Sequence, residues 1–199
     1  MCALAAVTLA DEFVVLEPLG PRHRDDLAEA VADGELWNLS YTRVPTPESM
    51  EREIERRLAL NAAGTMLPFA AIDRGTGRAI GMTTYMNVEP EKYRLEIGST
   101  WYRKTAQRTA LNTAAKRLLL THAFERLDCI AVEFRTSRAN LASRRAIERL
   151  GAKRDGILRS DGFHADGTLR DTYVYSIVAA EWPDVRASLT ARLSGTPVS

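Results

Sequence analysis

The sequence predicts an α/β chain of the α+β kind, one domain with a mixed, mostly antiparallel central sheet, one parallel pair of strands and helices on both faces. Three observations carry this. Runs 67–72, 79–86 and 93–101 are strand-like and joined by short turns, as in an antiparallel meander. A long amphipathic helix then separates run 93–101 from run 130–135, and strands joined by a helical crossover lie parallel. Helical patterns also precede and follow the strands. At 199 residues, 45% hydrophobic and 27% charged, the chain suits one globular domain over 1–199, with 1–12 and 194–199 expected to be flexible. The net charge of +1 offers no general field for nucleic acid or a membrane surface. Two cysteines, Cys2 and Cys129, make no disulfide framework, and no signal peptide or membrane-length apolar run is visible. A cytoplasmic protein is expected.

Taken in order, Phe13-Val-Val-Leu-Glu17 is the first strand, closed by Pro18, Gly20 and Pro21. Residues 22–33 carry Leu27, Ala28 and Val31 at helical spacing, and Gly34 stops them. Thr46-Pro47-Glu48 starts a second helix with a capping hydroxyl, a first-turn proline and an acid at the positive end. Met50, Ile54 and Leu58 form its apolar row. The Glu and Arg between them, with Glu48/Arg52 and Glu53/Arg57 at i,i+4, read as a solvated face. These two helices are expected to form a lid over the sheet. Leu67 to Ile72 and Ala79 to Met86 are strands joined by the turn Asp73-Arg-Gly-Thr-Gly77, and Gly81 suggests a bulge or a close backbone approach. In Tyr93 to Trp101, Leu95 and Ile97 face one way, and Arg94, Glu96 and Gly98 the other.

Residues 107–127 are the strongest helix. Leu111, Ala114, Ala115, Leu118, Leu119, Ala123 and Phe124 trace its buried face, and Asn112, Lys116, Arg117 and Glu125 lie off it. Its start, Arg103 to Ala110, holds small residues, hydroxyls and three cations where helix amides are unpaired. That is a ready anion site and reads as a grip for a diphosphate. Residues 130–135 form the next strand. Asn140 caps and Gly151 ends a short helix buried through Ala142, Ala146, Ile147 and Leu150. Residues 153–159 and 173–178 are the last strands, with a polar loop 160–168 between them, and a helix runs from Glu181.

Four segments in this order resemble the GNAT superfamily of acyl-CoA-dependent N-acetyltransferases. They are Leu95-Glu-Ile-Gly-Ser-Thr-Trp101, Gln107-Arg-Thr-Ala-Leu-Asn112, Asn140-Leu-Ala-Ser143 with Glu148-Arg-Leu-Gly151, and Arg170-Asp-Thr-Tyr-Val-Tyr-Ser176. With Leu16-Glu-Pro-Leu19 they resemble the branch of ribosomal-protein N-terminal acetyltransferases. The resemblance implies that the parallel pair splays into a cleft and that acetyl-CoA is the co-substrate, with no metal. Its diphosphate would sit on Gln107, Arg108, Thr109, Ala110, Asn112 and Thr113. Its pantetheine arm would run beside Thr100, Trp101 and Tyr102 towards Asn140, Ser143 and Arg145. The family loop is Gln/Arg-x-x-Gly-x-Gly/Ala, and Ala110 and Asn112 depart from it, which bears on how closely the diphosphate approaches the amides. Arg103, Lys104, Arg138 and Arg144 add basic flanks.

The same resemblance implies acetyl transfer to a primary amine by direct attack, the acceptor being a protein N-terminus or a small amine. Many family members place a Tyr seven residues after the Asn to protonate the thiolate. Ile147 stands there, and Ser143 takes the acid role by resemblance to the ribosomal branch. Glu96, on the outward side of its strand, is the candidate base, or a strand carboxylate paired with Arg94; His164 and Asp171 are weaker candidates. The backbone near Trp101 is the expected oxyanion donor. Asn140 has a second role as helix cap, and Trp101, Tyr102, Tyr173 and Tyr175 either fill the core or wall the acceptor groove. Neither cysteine reads as a nucleophile. The altered loop and Ile147 motivate an alternative, a non-catalytic acyl-CoA-binding module. The chain is expected to be a monomer or a homodimer.

Overall fold

The structure, a computed structural model, describes residues 4–38 and 43–195. Its centre is an eight-stranded sheet. The strands are β1 Leu9–Ala10, β2 Val14–Pro18, β3 Met66–Asp73, β4 Ala79–Glu89, β5 Arg94–Tyr102, β6 Ala131–Ser137, β7 Lys153–Phe163 and β8 Leu169–Val178. They lie in the order β1-β2-β3-β4-β5-β6-β8-β7, and β5 with β6 is the parallel pair. The helices are α1 Arg24–Ala32, α2 Met50–Ala62, α3 Ala110–Glu125, α4 Leu141–Arg149 and α5 Trp182–Leu193.

One face of the sheet buries Leu16, Phe69, Leu95, Ile97, Val132, Phe134 and Ile177 against α3, α4 and α5. The other buries Ala70, Ile72, Met82 and Trp101 against α1 and α2, through Leu27, Val31, Met50 and Ile54. Leu95 and Ile97, predicted to share one side of their strand, both lie in the first of these cores, and Trp101 on the same strand lies in the second. The predicted cap of the second helix is present: Thr46 Oγ1 accepts from the Ser49 amide at 3.3 Å, across a 3-10 turn that leads into α2.

Three sequence expectations change. Leu9–Ala10, inside the stretch expected to be a flexible end, pairs with β2. There Asp11 accepts from the amides of Phe13 and Val14 and binds Arg117 at 3.0 Å. Met1–Ala3 and Thr196–Ser199 lie outside the described residues. The polar loop 160–168 is shorter than expected: β7 runs on to Phe163 and β8 begins at Leu169, so only 164–168 turn the hairpin, closed by the His164 amide on the Thr168 carbonyl. Polar side chains there mark a solvated strand face, which composition alone does not separate from a loop. Third, the exposed faces expected of α2 and α3 hold two buried cations, described below.

Gly81 fulfils its expectation doubly. It lies beside a register shift between β3 and β4 and opposite Tyr102 on β5, where an added Cβ would come within 2.2 Å of the Trp101 carbonyl oxygen.

Candidate active site

β5 and β6 are registered only over Arg94↔Ala131, Leu95↔Val132 and Glu96↔Glu133. Past Glu96 they part, while β5 stays paired with β4 as far as Tyr102 and β6 stays paired with β8 as far as Ser137. The β6-facing edge of β5 from Ile97 to Tyr102 therefore borders a cleft, with backbone groups outside the parallel ladder. An extended polar arm can pair with such an edge, so Thr100, Trp101 and Tyr102 fit the predicted position for pantetheine. Their side chains do other work. Trp101 fills the core under α1 and α2, Tyr102 fills the main core, and the Thr100 hydroxyl points away to α3.

Glu96 sits where the strands part. Only 5% of it is exposed. Asn87, held at a positive φ of 46°, donates from Nδ2 to Glu96 Oε2 at 2.7 Å. Arg135 Nε lies 3.7 Å from the same oxygen but is bound chiefly by Glu133. Arg94 also goes to Glu133, at 3.4 Å, rather than to Glu96. Burial outweighs the Asn87 bond and the Arg135 charge and pushes the Glu96 carboxyl from 4.5 up to about 7. Space for it is kept by Gly98, where a Cβ would lie 2.6 Å from Glu96 Oε1 and 2.8 Å from Met86 Sδ. Both are ends of flexible side chains. Gly98→Ala is therefore expected to fold, to push the carboxylate towards solvent and to lower its pKa by about one unit. NMR titration of the Glu96 carboxyl checks this.

The loop before α3 is built for its turn. Arg103 Nε binds Asp33 Oδ2 at 3.0 Å, and Thr105 donates to the same oxygen from its amide and its hydroxyl. These bonds hold Asp33 below the usual carboxylate range. Arg103 thus anchors the loop to the end of α1 and is not a spare flank charge. Gln107 likewise turns inward, its Nε2 donating to the Tyr102 carbonyl at 2.9 Å. Arg108 takes a φ of +63°, turning the chain into the helix as a glycine would. Thr109 caps α3 by accepting from the Leu111 amide at 3.3 Å. Arg108, Thr109 and Ala110 are exposed and Asn112 and Thr113 half-buried. The first turn of a sixteen-residue helix, with Arg108 beside it, is thus open to an anion, and this donor set fits a diphosphate.

On the far side of the cleft, Asn140 caps α4, its Oδ1 accepting from the Ser143 amide at 3.0 Å. Capping engages the oxygen, and the side-chain NH2 is a separate donor. Ser143 is half-buried, one turn before the buried Ile147 on the same helix face, and Arg145 is exposed. Ala142, expected on the buried side, is exposed. Tyr173 and Tyr175 belong to the core beneath α4: Arg144 lies over the Tyr173 ring at 4.4 Å, and Tyr175 donates to Glu148 at 2.9 Å. They are therefore not walls of an acceptor groove. Asp171 binds Arg138 at 3.4 Å, and His164 lies in the hairpin turn. Burial pushes the Cys129 thiol up to about 11, against any nucleophilic use.

Arg57 and Lys116, expected on solvated faces, are buried, at 1% and 6% exposure. Arg57 Nε binds Glu53 at 2.7 Å, and its other nitrogens reach Thr84 Oγ1, Ser99 Oγ and the Ser99 carbonyl. Lys116 Nζ donates to Thr100 Oγ1 at 2.9 Å and Thr83 Oγ1 at 3.2 Å. The spacing carries the signal. Lys116 heads a row with Leu119, Leu120 and Ala123 at i+3, i+4 and i+7, and Arg57 stands three after Ile54 and seven after Met50.

The family's sequence pattern, described as an acetyltransferase (GNAT) domain, matches residues 14–153. YdaF of Bacillus subtilis (strain 168), which carries a ribosomal N-acetyltransferase name, is 34% identical over 182 residues, covering 86% of this chain and 94% of its own. A GCN5-related N-acetyltransferase from Brucella melitensis superposes with a TM-score of 0.86 at 28% identity, over 96% of this chain and 87% of that one. A structure from T. thermophilus described as an acetyltransferase gives 0.83 at 35% identity, over 97% and 100%. The splayed parallel pair, the α3 turn and the match over most of the chain agree: the protein belongs to the GNAT acetyltransferase family.

Proposed function

We propose that the protein transfers an acetyl group from acetyl-CoA to a primary amine by direct attack, with a protein N-terminal α-amine as the acceptor. The observation that carries the reading is Glu96, buried where β5 and β6 part, with its carboxyl raised to about 7. A free α-amine has a pKa of about 7.7–8.0, so the proton passes between nearly matched groups. The neutral amine attacks the thioester carbon, Glu96 takes the proton the nitrogen sheds, the carbon–sulfur bond breaks, and Ser143 protonates the departing thiolate. Ser143 then recovers a proton from solvent and Glu96 releases the one it took, which restores both groups. Backbone amides on β5 beside Ser99 and Thr100 receive the developing oxyanion. The ribosomal name of the relative from Bacillus subtilis supports a protein N-terminus over a small amine. A cytoplasmic setting goes with this reading; no described helix is long and apolar enough to cross a membrane.

Two measurements test it. Calorimetry is expected to show micromolar acetyl-CoA binding, weakened about 10–100-fold in an Arg108→Glu, Asn112→Asp double variant. That variant sets negative charge against the diphosphate at a helix N-terminus. Release of CoA thiol is then followed with peptides bearing a free or a blocked α-amine. Turnover restricted to the free α-amine supports the reading. Equal turnover of the blocked peptide through a lysine side chain sinks the N-terminal acceptor.

A further inference from the structure

β5 is irregular at the point nearest the cleft. Thr84 pairs with Gly98 and Met82 with Trp101, so Thr83 alone faces both Ser99 and Thr100, and Ser99 takes a φ of +49°. The bulge is gripped from both sides of the sheet. From the α1/α2 face, Arg57 donates to Ser99 Oγ at 2.9 Å and to the Ser99 carbonyl at 3.3 Å. From the α3 face, Lys116 donates to Thr100 Oγ1, which lies 2.8 Å from Thr83 Oγ1 and itself donates to the Gly98 carbonyl at 3.3 Å.

We propose that Arg57 and Lys116 are positioning residues for acetyl transfer, locking the Ser99–Thr100 bulge from opposite faces so that its amides meet the thioester oxygen. This rests on the acetyl-transfer reading above. The accounting of polar groups favours it. The Gly98 carbonyl is taken by Thr100 and the Ser99 carbonyl by Arg57, so the bulge turns its acceptors inward. Lys116 Nζ, with at least two N–H groups in either protonation state, donates to both threonine hydroxyls, which directs the Thr83 hydroxyl onto Thr100 and the Thr100 hydroxyl onto Gly98. A methionine would fill the same space without burying a charge. Burial alone pulls the Lys116 ammonium down to about 7, a cost to the fold that packing does not require. Arg57 also places positive charge beside the position where the oxyanion forms.

The test uses Lys116→Met, Thr100→Val and Thr100→Ser in the full chain. It reads kcat with a free α-amine peptide, the Kd for acetyl-CoA by calorimetry, and Tm. Lys116→Met removes a buried charge and is expected to raise Tm below pH 7, so misfolding does not mask the result. The expected outcome is a fall in kcat of about 30–300-fold for Lys116→Met and Thr100→Val, at or somewhat below the roughly 100–1,000-fold loss for removing an oxyanion donor outright, since these residues act by holding the donors in place. Acetyl-CoA Kd stays within about threefold, and Thr100→Ser, which keeps the hydroxyl, returns kcat to within about threefold of the parent. A folded Lys116→Met with unchanged kcat overturns the proposal, and so does Thr100→Ser as slow as Thr100→Val. A parent protein that binds acetyl-CoA but turns over no amine overturns the acetyl-transfer reading itself, and this inference with it.

Discussion

Glu96→Gln is expected to lower kcat by about two to four orders of magnitude and, at pH 8, to make the protein more stable. Both effects have one cause. The carboxyl is raised from 4.5 to about 7 by burial, so the fold favours its neutral form. Stability from this group is fully present below 4.5 and is lost as pH rises through 7. At pH 8 the ionised group costs about 3 kcal/mol relative to the unfolded chain. Gln keeps an oxygen for Asn87 and carries no charge, so the variant recovers much of that cost at pH 8 and gains little at pH 4. Urea unfolding at the two pH values measures the difference. The rate effect has the matching sign. Parent kcat is expected to climb as Glu96 ionises through pH 7, and the variant to lose that limb. A variant within threefold of the parent, with the limb intact, excludes Glu96 as the base.

Gly81→Ala is expected to destabilise by about 3 kcal/mol or more, a fall in Tm of about 6–12 °C for a chain of this size. Its Cβ would lie 2.2 Å from the Trp101 carbonyl oxygen and 2.8 Å from Tyr102 Cα. These are backbone atoms, and relief requires β4 and β5 to separate beside the bulge. Gly162→Ala is the control, since nothing lies within 4 Å of its added Cβ. A thermal melt of both variants decides it: equal Tm values would mean that β5 yields more easily than its bonds to Arg57 and Lys116 imply.

The two glycines also separate what was legible. At Gly81 the sequence shows a glycine inside a strand pattern, which is enough to predict a bulge or a close approach, and the structure has both. At Gly98 the pattern shows only an outward position. Its reason, room for the Glu96 carboxylate, needs the path of β4 and the Met86 side chain. Asn87 is similar: nothing local marks it as the partner of a residue nine positions on, because the β4–β5 turn brings them together.

By itself the sequence determined the order of elements from β2 onward, the crossover that makes β5 and β6 parallel, the Thr46 and Asn140 caps, and the family. Each depends on periodicity, spacing or a local hydrogen bond, which neighbours along the chain settle. Only the tertiary structure decided which charges lose their water. Arg57 and Lys116 stand on the apolar rows of their helices, but a charged side chain on such a row either snorkels outward or is buried, and sequence does not choose. Here the sheet supplies hydroxyls and a carbonyl at Thr83, Thr84, Ser99 and Thr100, and both cations turn inward to them. The same holds for Glu96, whose acidity is set by the solvent excluded around it, a property of the packed sheet and not of any stretch of chain.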